Sequence, residues 1–208
     1  MSFSEKQEAL VKEAWQIMKE DIPALSLYYF TQVLEIAPAA KGLFSFIKYA
    51  EQTPENNPKL KAHAVKVFKM ICEAAIQLRK KGEVVISGST LKYMGSIHLQ
   101  KGIVESDFAV VKEAVLRTVE KGVGEKWSEE MKDAWSEAYD QLAAAIIAEM
   151  KKEAAEIQAT FDMVLTLWTH RSHCLPTDEK QLYGGITNYF TIRVNHGGVF
   201  TQKSDMNP

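Results

Sequence analysis

NPKLKAHAVKVFKM, residues 57–70, is the stretch on which the reading of this chain turns. Asn57 is a good helix cap, and Pro58 suits a first helical position, where no backbone N–H is needed. Leu60, His63, Val67 and Met70 or Ile71 then follow at three- and four-residue steps, the spacing of one helical face. Lys59, Lys61, Lys66 and Lys69 fall mostly elsewhere. The stretch therefore predicts a helix with a histidine inside its apolar stripe. Such a histidine is either a hydrogen-bonded core residue or a ligand to something the stripe faces.

Outward from this helix the pattern repeats. Ser4 with Gln7 reads as a capping box, followed by Leu10, Ala14 and Met18. A second helix opens near Asp21 to Pro23 and carries Leu27, Phe30 and Leu34; Pro38 interrupts it and opens a short helix. KYAEQTPENNP is polar, holds two prolines and reads as a loop. The His63 helix runs to about Lys81, where KKG makes a basic, glycine-terminated end. STLKYMGSIHLQKG predicts a shorter helix with Leu91, Met94 and His98 on one side. Ser106 and Ser128 are candidate caps of two further helices. No segment before residue 152 alternates like a strand, and no Asn-Gly or Asp-Gly hairpin signal occurs. Seven or so helices without strands predict an all-α fold.

Bulk composition excludes several classes of function. The chain has 208 residues, 46% of them hydrophobic, enough for one sizeable core. Its 25 basic and 27 acidic residues give a net charge of -2 with no basic patch, so no nucleic-acid partner is expected. No apolar run is long enough to span a bilayer, and MSFSEKQEAL is not a signal peptide. Cys72 and Cys174 make no disulfide framework, and a cytosolic protein with reduced thiols is expected.

The histidines carry the chemical signal. His63 and His98 lie on the apolar stripes of two helices joined by a turn, while His170, His173 and His196 fall near or beyond the end of the helical part. Taken singly, either of the first two reads as a packed core histidine. Taken together, they suit the two axial positions of a haem iron, because no cysteine or further histidine lies nearby to complete a tetrahedral zinc site. GLFSFI supplies Phe44, Phe46 and Ile47, and the second helix supplies Phe30, as apolar lining for a flat ring. Each of these aromatics is, on its own, equally well explained as core.

SEKQEALVKEAW, FTQVLEIAPAAKGLFSF, NPKLKAHAVKVF, YMGSIHLQKGIV and WSEEMKDAWSEAYDQLAAAI together resemble the plant non-symbiotic haemoglobins (phytoglobins), above all their second class. The resemblance covers roughly residues 3 to 152. It implies a globin domain over 1–152 enclosing one haem b per chain. It makes His98 the proximal iron ligand and His63 the distal histidine, and it carries the catalytic role to His63. Phe44 matches the phenylalanine against the haem plane, Phe30 the distal aromatic and Val67 the ligand-side lining. Met94, one turn before His98, belongs to the same cofactor-binding set. Ser45 and Lys59 match propionate contacts. The small ligands implied are oxygen, nitric oxide and nitrite: nitrite is reduced to nitric oxide without oxygen, and nitric oxide is oxidised to nitrate with it. The alternatives are an oxygen carrier without significant turnover and, last, a helical interaction protein that has lost haem. The resemblance also suggests a homodimer through Glu35 to Ala39 and a cytoplasmic and nuclear location.

Residues 153–208 depart from that pattern, with threonines, aromatics, two GG pairs, 4 basic and 6 acidic residues. Ile147, Met150, Ala154, Ile157, Phe161, Val164 and Trp168 nevertheless keep a three–four spacing. The expectations for this extension are a continuation of the last helix to about Trp168 or a disordered segment. HRSHC is a weak metal signal, and GGITNYFTIRVNHGG is a β-prone run without a partner strand.

Overall fold

A computed structural model describes residues 3–47, 56–81 and 86–172, and among them only helices and turns occur. Six α-helices follow one another: α1 (Glu5–Met18), α2 (Ile22–Ile36), α3 (Pro58–Lys81), α4 (Gly88–Gln100), α5 (Asp107–Val123) and α6 (Glu129–Ser172). Short 3-10 turns lie at Lys19–Asp21, Pro38–Leu43 and Gly124–Lys126. The all-α expectation holds. The loop expected at 48–55 and the tail signals at His173, Cys174 and 184–198 fall outside the described residues.

Local chemistry explains most of the helix starts. Ser4 Oγ accepts the Gln7 N–H while Gln7 Oε1 accepts the Ser4 N–H, closing the capping box on α1. Asp21 caps α2, with proline in its first turn. Ser128 Oγ accepts the Met131 N–H at the start of α6. Ser106 does not cap α5: it is itself helical and makes no capping bond. Asp107 reaches back instead, its Oδ2 accepting the Val104 N–H at 2.9 Å. A carboxylate in the first turn also suits the positive end of the helix.

The chain divides into two compact units, Met1–Leu91 with Val104–Ile147 and Lys92–Ile103 with Ala148–Pro208. In the first, α2 packs on α3 and α5, and α1 packs on the same two helices. Tyr29 of α2 stacks on Phe68 of α3 at 5.6 Å between ring centroids. The core also buries Met18, Val115, Val119, Met131 and Trp135 completely or nearly so. The face of α3 that enters this core is Leu60, Ala64, Phe68, Ile71, Cys72 and Ala75. His63, Val67 and Met70 lie one residue back and are half-buried. Two adjacent faces of α3 thus share the apolar stripe seen in the sequence, since neighbouring residues are only about 100° apart on a helix. Phe68 is fully buried. Phe68→Ala should therefore lower stability by about 3–5 kcal/mol, read as a lower urea midpoint with an unchanged slope.

In the second unit α4 lies against α6 where Gly95 leaves room. A Cβ at Gly95 would sit 2.8 Å from Glu149 Cβ and 3.0–3.1 Å from the backbone of Glu149 and Met150. Ser96 donates to the Glu153 carboxylate at 2.8 Å from the same side. Because the obstruction is backbone, Gly95→Val cannot be absorbed by a side-chain rotation. It should push α4 off α6 at about 1–3 kcal/mol, lowering the melting temperature.

α6 runs without a break from Glu129 through residue 152 to Ser172. Ile157, Met163, Val164 and Leu167 are exposed along this continuation.

Candidate functional site

His63 stands in a box of phenylalanines built from two pieces of the first unit. Phe30 comes from α2, while Phe44 and Phe46 come from the turn that follows the Pro38–Leu43 helix. Ring centroids lie 6.0 Å from His63 for Phe30, 5.4 Å for Phe44 and 5.4 Å for Phe46. Phe30 and Phe44 also meet edge to face at 4.9 Å, and Phe44 touches Phe46 at 5.7 Å. Edge-to-face contacts of this kind hold rings in place beyond their area burial. Among the described residues neither ring nitrogen of His63 has a hydrogen-bond partner. Burial, and then the Lys66 cation nearby, hold the His63 imidazole below its ordinary pKa. It is accordingly neutral at pH 7, with one lone pair and one N–H to offer.

His98 is set up differently, within the second unit. Its Nδ1 lies 2.7 Å from the Met94 carbonyl oxygen, one turn back on α4. A carbonyl only accepts, so Nδ1 carries the proton and Nε2 carries the lone pair. An imidazole whose other nitrogen donates to a carbonyl is the usual form of a metal-binding histidine. The helix end just beyond it is also fixed: the Ile103 N–H bonds to the His98 oxygen at 3.0 Å and the Gly102 N–H to the Leu99 oxygen at 3.1 Å. Gly102 has φ 75, the left-handed conformation this double bond requires and that glycine adopts without strain.

The other expected residues take these places. Val67 is half-buried one turn beyond His63, Lys59 is exposed in the first turn of α3, and Ser45 is exposed in the turn between Phe44 and Phe46. Met94 acts through its backbone carbonyl. The structure thus gathers Phe30, Phe44 and His63, and joins Met94 to His98. Phe46 belongs to the box as fully as Phe44; the sequence marks it only as one more aromatic of GLFSFI. Among the described residues no cluster of three or more histidine, cysteine or acidic side chains offers a metal site of another kind.

A helical fold with an aromatic-walled histidine on one helix and a tautomer-fixed histidine on another matches the family model for globins over residues 28–146, and the chain belongs to that family. It is a plant globin, and its relatives at 61–66% identity are class 2 haemoglobins. It is 66% identical over 155 residues to an anaerobic nitrite reductase of Solanum lycopersicum, covering 74% of this chain and 99% of the relative. An anaerobic nitrite reductase of Arabidopsis thaliana is 63% identical over 153 residues, covering 74% and 97%. A leghemoglobin of Canavalia lineata is 53% identical over 145 residues, covering 70% and 94%. Globin membership implies haem binding. The donors present fit that group, since both histidines offer an imidazole nitrogen, a good ligand for iron, and the wall beside His63 is apolar.

Proposed function

We propose that this globin holds one haem b per chain with His98 as the proximal and His63 as the distal axial ligand, and that it reduces nitrite to nitric oxide when oxygen is absent and oxidises nitric oxide to nitrate when oxygen is present. The observation that carries the reading is His63 itself: neutral, flanked by three phenylalanines and without a hydrogen-bond partner among the described residues. Two relatives named anaerobic nitrite reductase, at 66% and 63% identity, support the same direction.

Haem, when bound, supplies the iron that binds small gases and exchanges the electron with nitrite. The chain supplies the rest. His98 offers the Nε2 lone pair in a tautomer that the Met94 carbonyl enforces. Phe30, Phe44 and Phe46 set apolar surface beside His63, and such surroundings strengthen a hydrogen bond made there. His63 has two uses. With haem bound, its lone pair would compete for the iron, and apparent ligand affinity would then be the intrinsic affinity scaled by the fraction of sites left open. Its N–H, once released, is a donor toward a partly negative ligand and a proton source for nitrite, whose reduction to nitric oxide and water takes up two protons. Val67 lines the ligand side, and Ser45 and Lys59, both exposed, are the propionate contacts of this reading. A homodimer through Glu35 to Ala39 and a cytoplasmic and nuclear location belong to the same proposal.

Anaerobic stopped-flow with nitrite, beside the oxygen dissociation rate, tests it. Slow oxygen release with rapid nitrite turnover is the expected result; fast release with negligible turnover would make the chain a carrier.

A further inference from the structure

Asn57 is almost fully buried, at 7% exposure, and uses every polar atom of its side chain. Its Oδ1 accepts the N–H groups of Lys59 and Leu60, both at 3.1 Å, which caps α3. Its Nδ2 donates to the Phe46 backbone oxygen at 2.9 Å. The amide has one workable orientation: flipped, it would set NH2 against two N–H donors and an oxygen against a carbonyl. One side chain therefore joins the first turn of the His63 helix to the turn carrying Phe44 and Phe46. His63 stands six residues further along α3, about 9 Å up the helix axis. The relation between that imidazole and two of its three ring neighbours is thus set through a single amide.

We infer that Asn57 is a positioning residue for His63: its bond to the Phe46 carbonyl holds the aromatic wall in register with α3 and so sets how often His63 occupies the iron. This rests on the reading of His63 as an axial ligand. With the tie in place, box and helix are ordered before His63 binds, and little freedom is lost when it does. With the tie cut, the Phe44–Phe46 turn moves against α3, and the ordering must be supplied on each binding event. The closed state is then disfavoured, and the open fraction, with the apparent gas affinity, rises.

The two functions of Asn57 separate by substitution. Asn57→Asp keeps the cap, because a carboxylate still accepts from the Lys59 and Leu60 N–H groups, but it cannot donate to the Phe46 carbonyl. Asn57→Ser is a second variant that retains a capping oxygen on a side chain too short to span both segments. The experiment uses the full haem-loaded chain and reads the six-coordinate fraction in the ferrous visible spectrum and the carbon monoxide binding rate after photolysis, with His63→Leu alongside. Loss of one net hydrogen bond predicts that Asn57→Asp lowers the ratio of closed to open sites by roughly three- to tenfold, and shifts carbon monoxide binding toward its fast phase in proportion. Asn57→Ser should move both readings in the same direction. If His63→Leu becomes five-coordinate while both Asn57 variants keep the wild-type spectrum and rates, the inference is overturned and the axial reading stands. If His63→Leu itself keeps the wild-type spectrum, the axial reading is wrong and the inference falls with it.

Discussion

His98→Ala is expected to leave the chain unable to retain haem. The substitution removes the imidazole and nothing else that α4 needs. Alanine is a better helix former than histidine, and the bonds that close the helix end use the backbone of residues 98, 99, 102 and 103. The helix should therefore survive, with far-UV circular dichroism of the apoprotein unchanged. What is lost is a lone pair already aimed by the Met94 carbonyl. Removing only such an orienting partner costs a metal site about 10–100-fold in affinity, and removing the ligand itself should exceed that. A haem titration followed at the Soret band is the measurement. Because the defect is a missing ligand and not a misfolded helix, added imidazole should restore part of the haem binding to His98→Gly.

His63→Leu is the second large effect, and it runs the other way. Leucine keeps apolar contact with Phe30, Phe44 and Phe46, so haem should be retained. The ferrous protein should lose its six-coordinate spectrum, because leucine has nothing to bind iron with. Carbon monoxide association should become single-phased and fast, since no closed fraction remains to be opened. Oxygen release should accelerate by about 10–150-fold, the equivalent of a hydrogen bond to a charged group worth about 1.5–3 kcal/mol. Nitrite reduction in the same variant reports on proton delivery: a rate that falls despite the open site makes His63 a proton donor, and a rate that rises makes it only a competitor.

Much of this was legible in the residues. The caps Ser4, Asn57 and Ser128 work as their spacing suggested, because a cap is a bond between residues three apart and needs no knowledge of the fold. Ser106 makes no capping bond because its backbone is already αR and the first N–H groups of α5 bond to the backbone oxygens of residues 104–106. The helical character of 57–70 was plain, whereas the division of its apolar stripe was not. Leu60, Ala64 and Phe68 enter the core while His63 and Val67 face outward from it, a distinction settled by which helices pack on α3. The family resemblance set Phe44 against a haem plane; its ring contact with His63 comes from the structure. The bond from Asn57 to the Phe46 oxygen spans eleven residues and joins a side chain to a backbone atom, which no periodicity reveals. The Met94–His98 bond lay within reach, since residues four apart on a helix always meet.

The central claim is that His63 is a ligand that comes and goes. The visible spectrum of the reduced, ligand-free protein with haem bound tests it most directly. Two sharp, well-separated visible bands, the usual mark of a low-spin ferrous haem with two axial nitrogen ligands, are the result this account predicts, and carbon monoxide should replace them completely. A single broad band in that region, unchanged in His63→Leu, would contradict it.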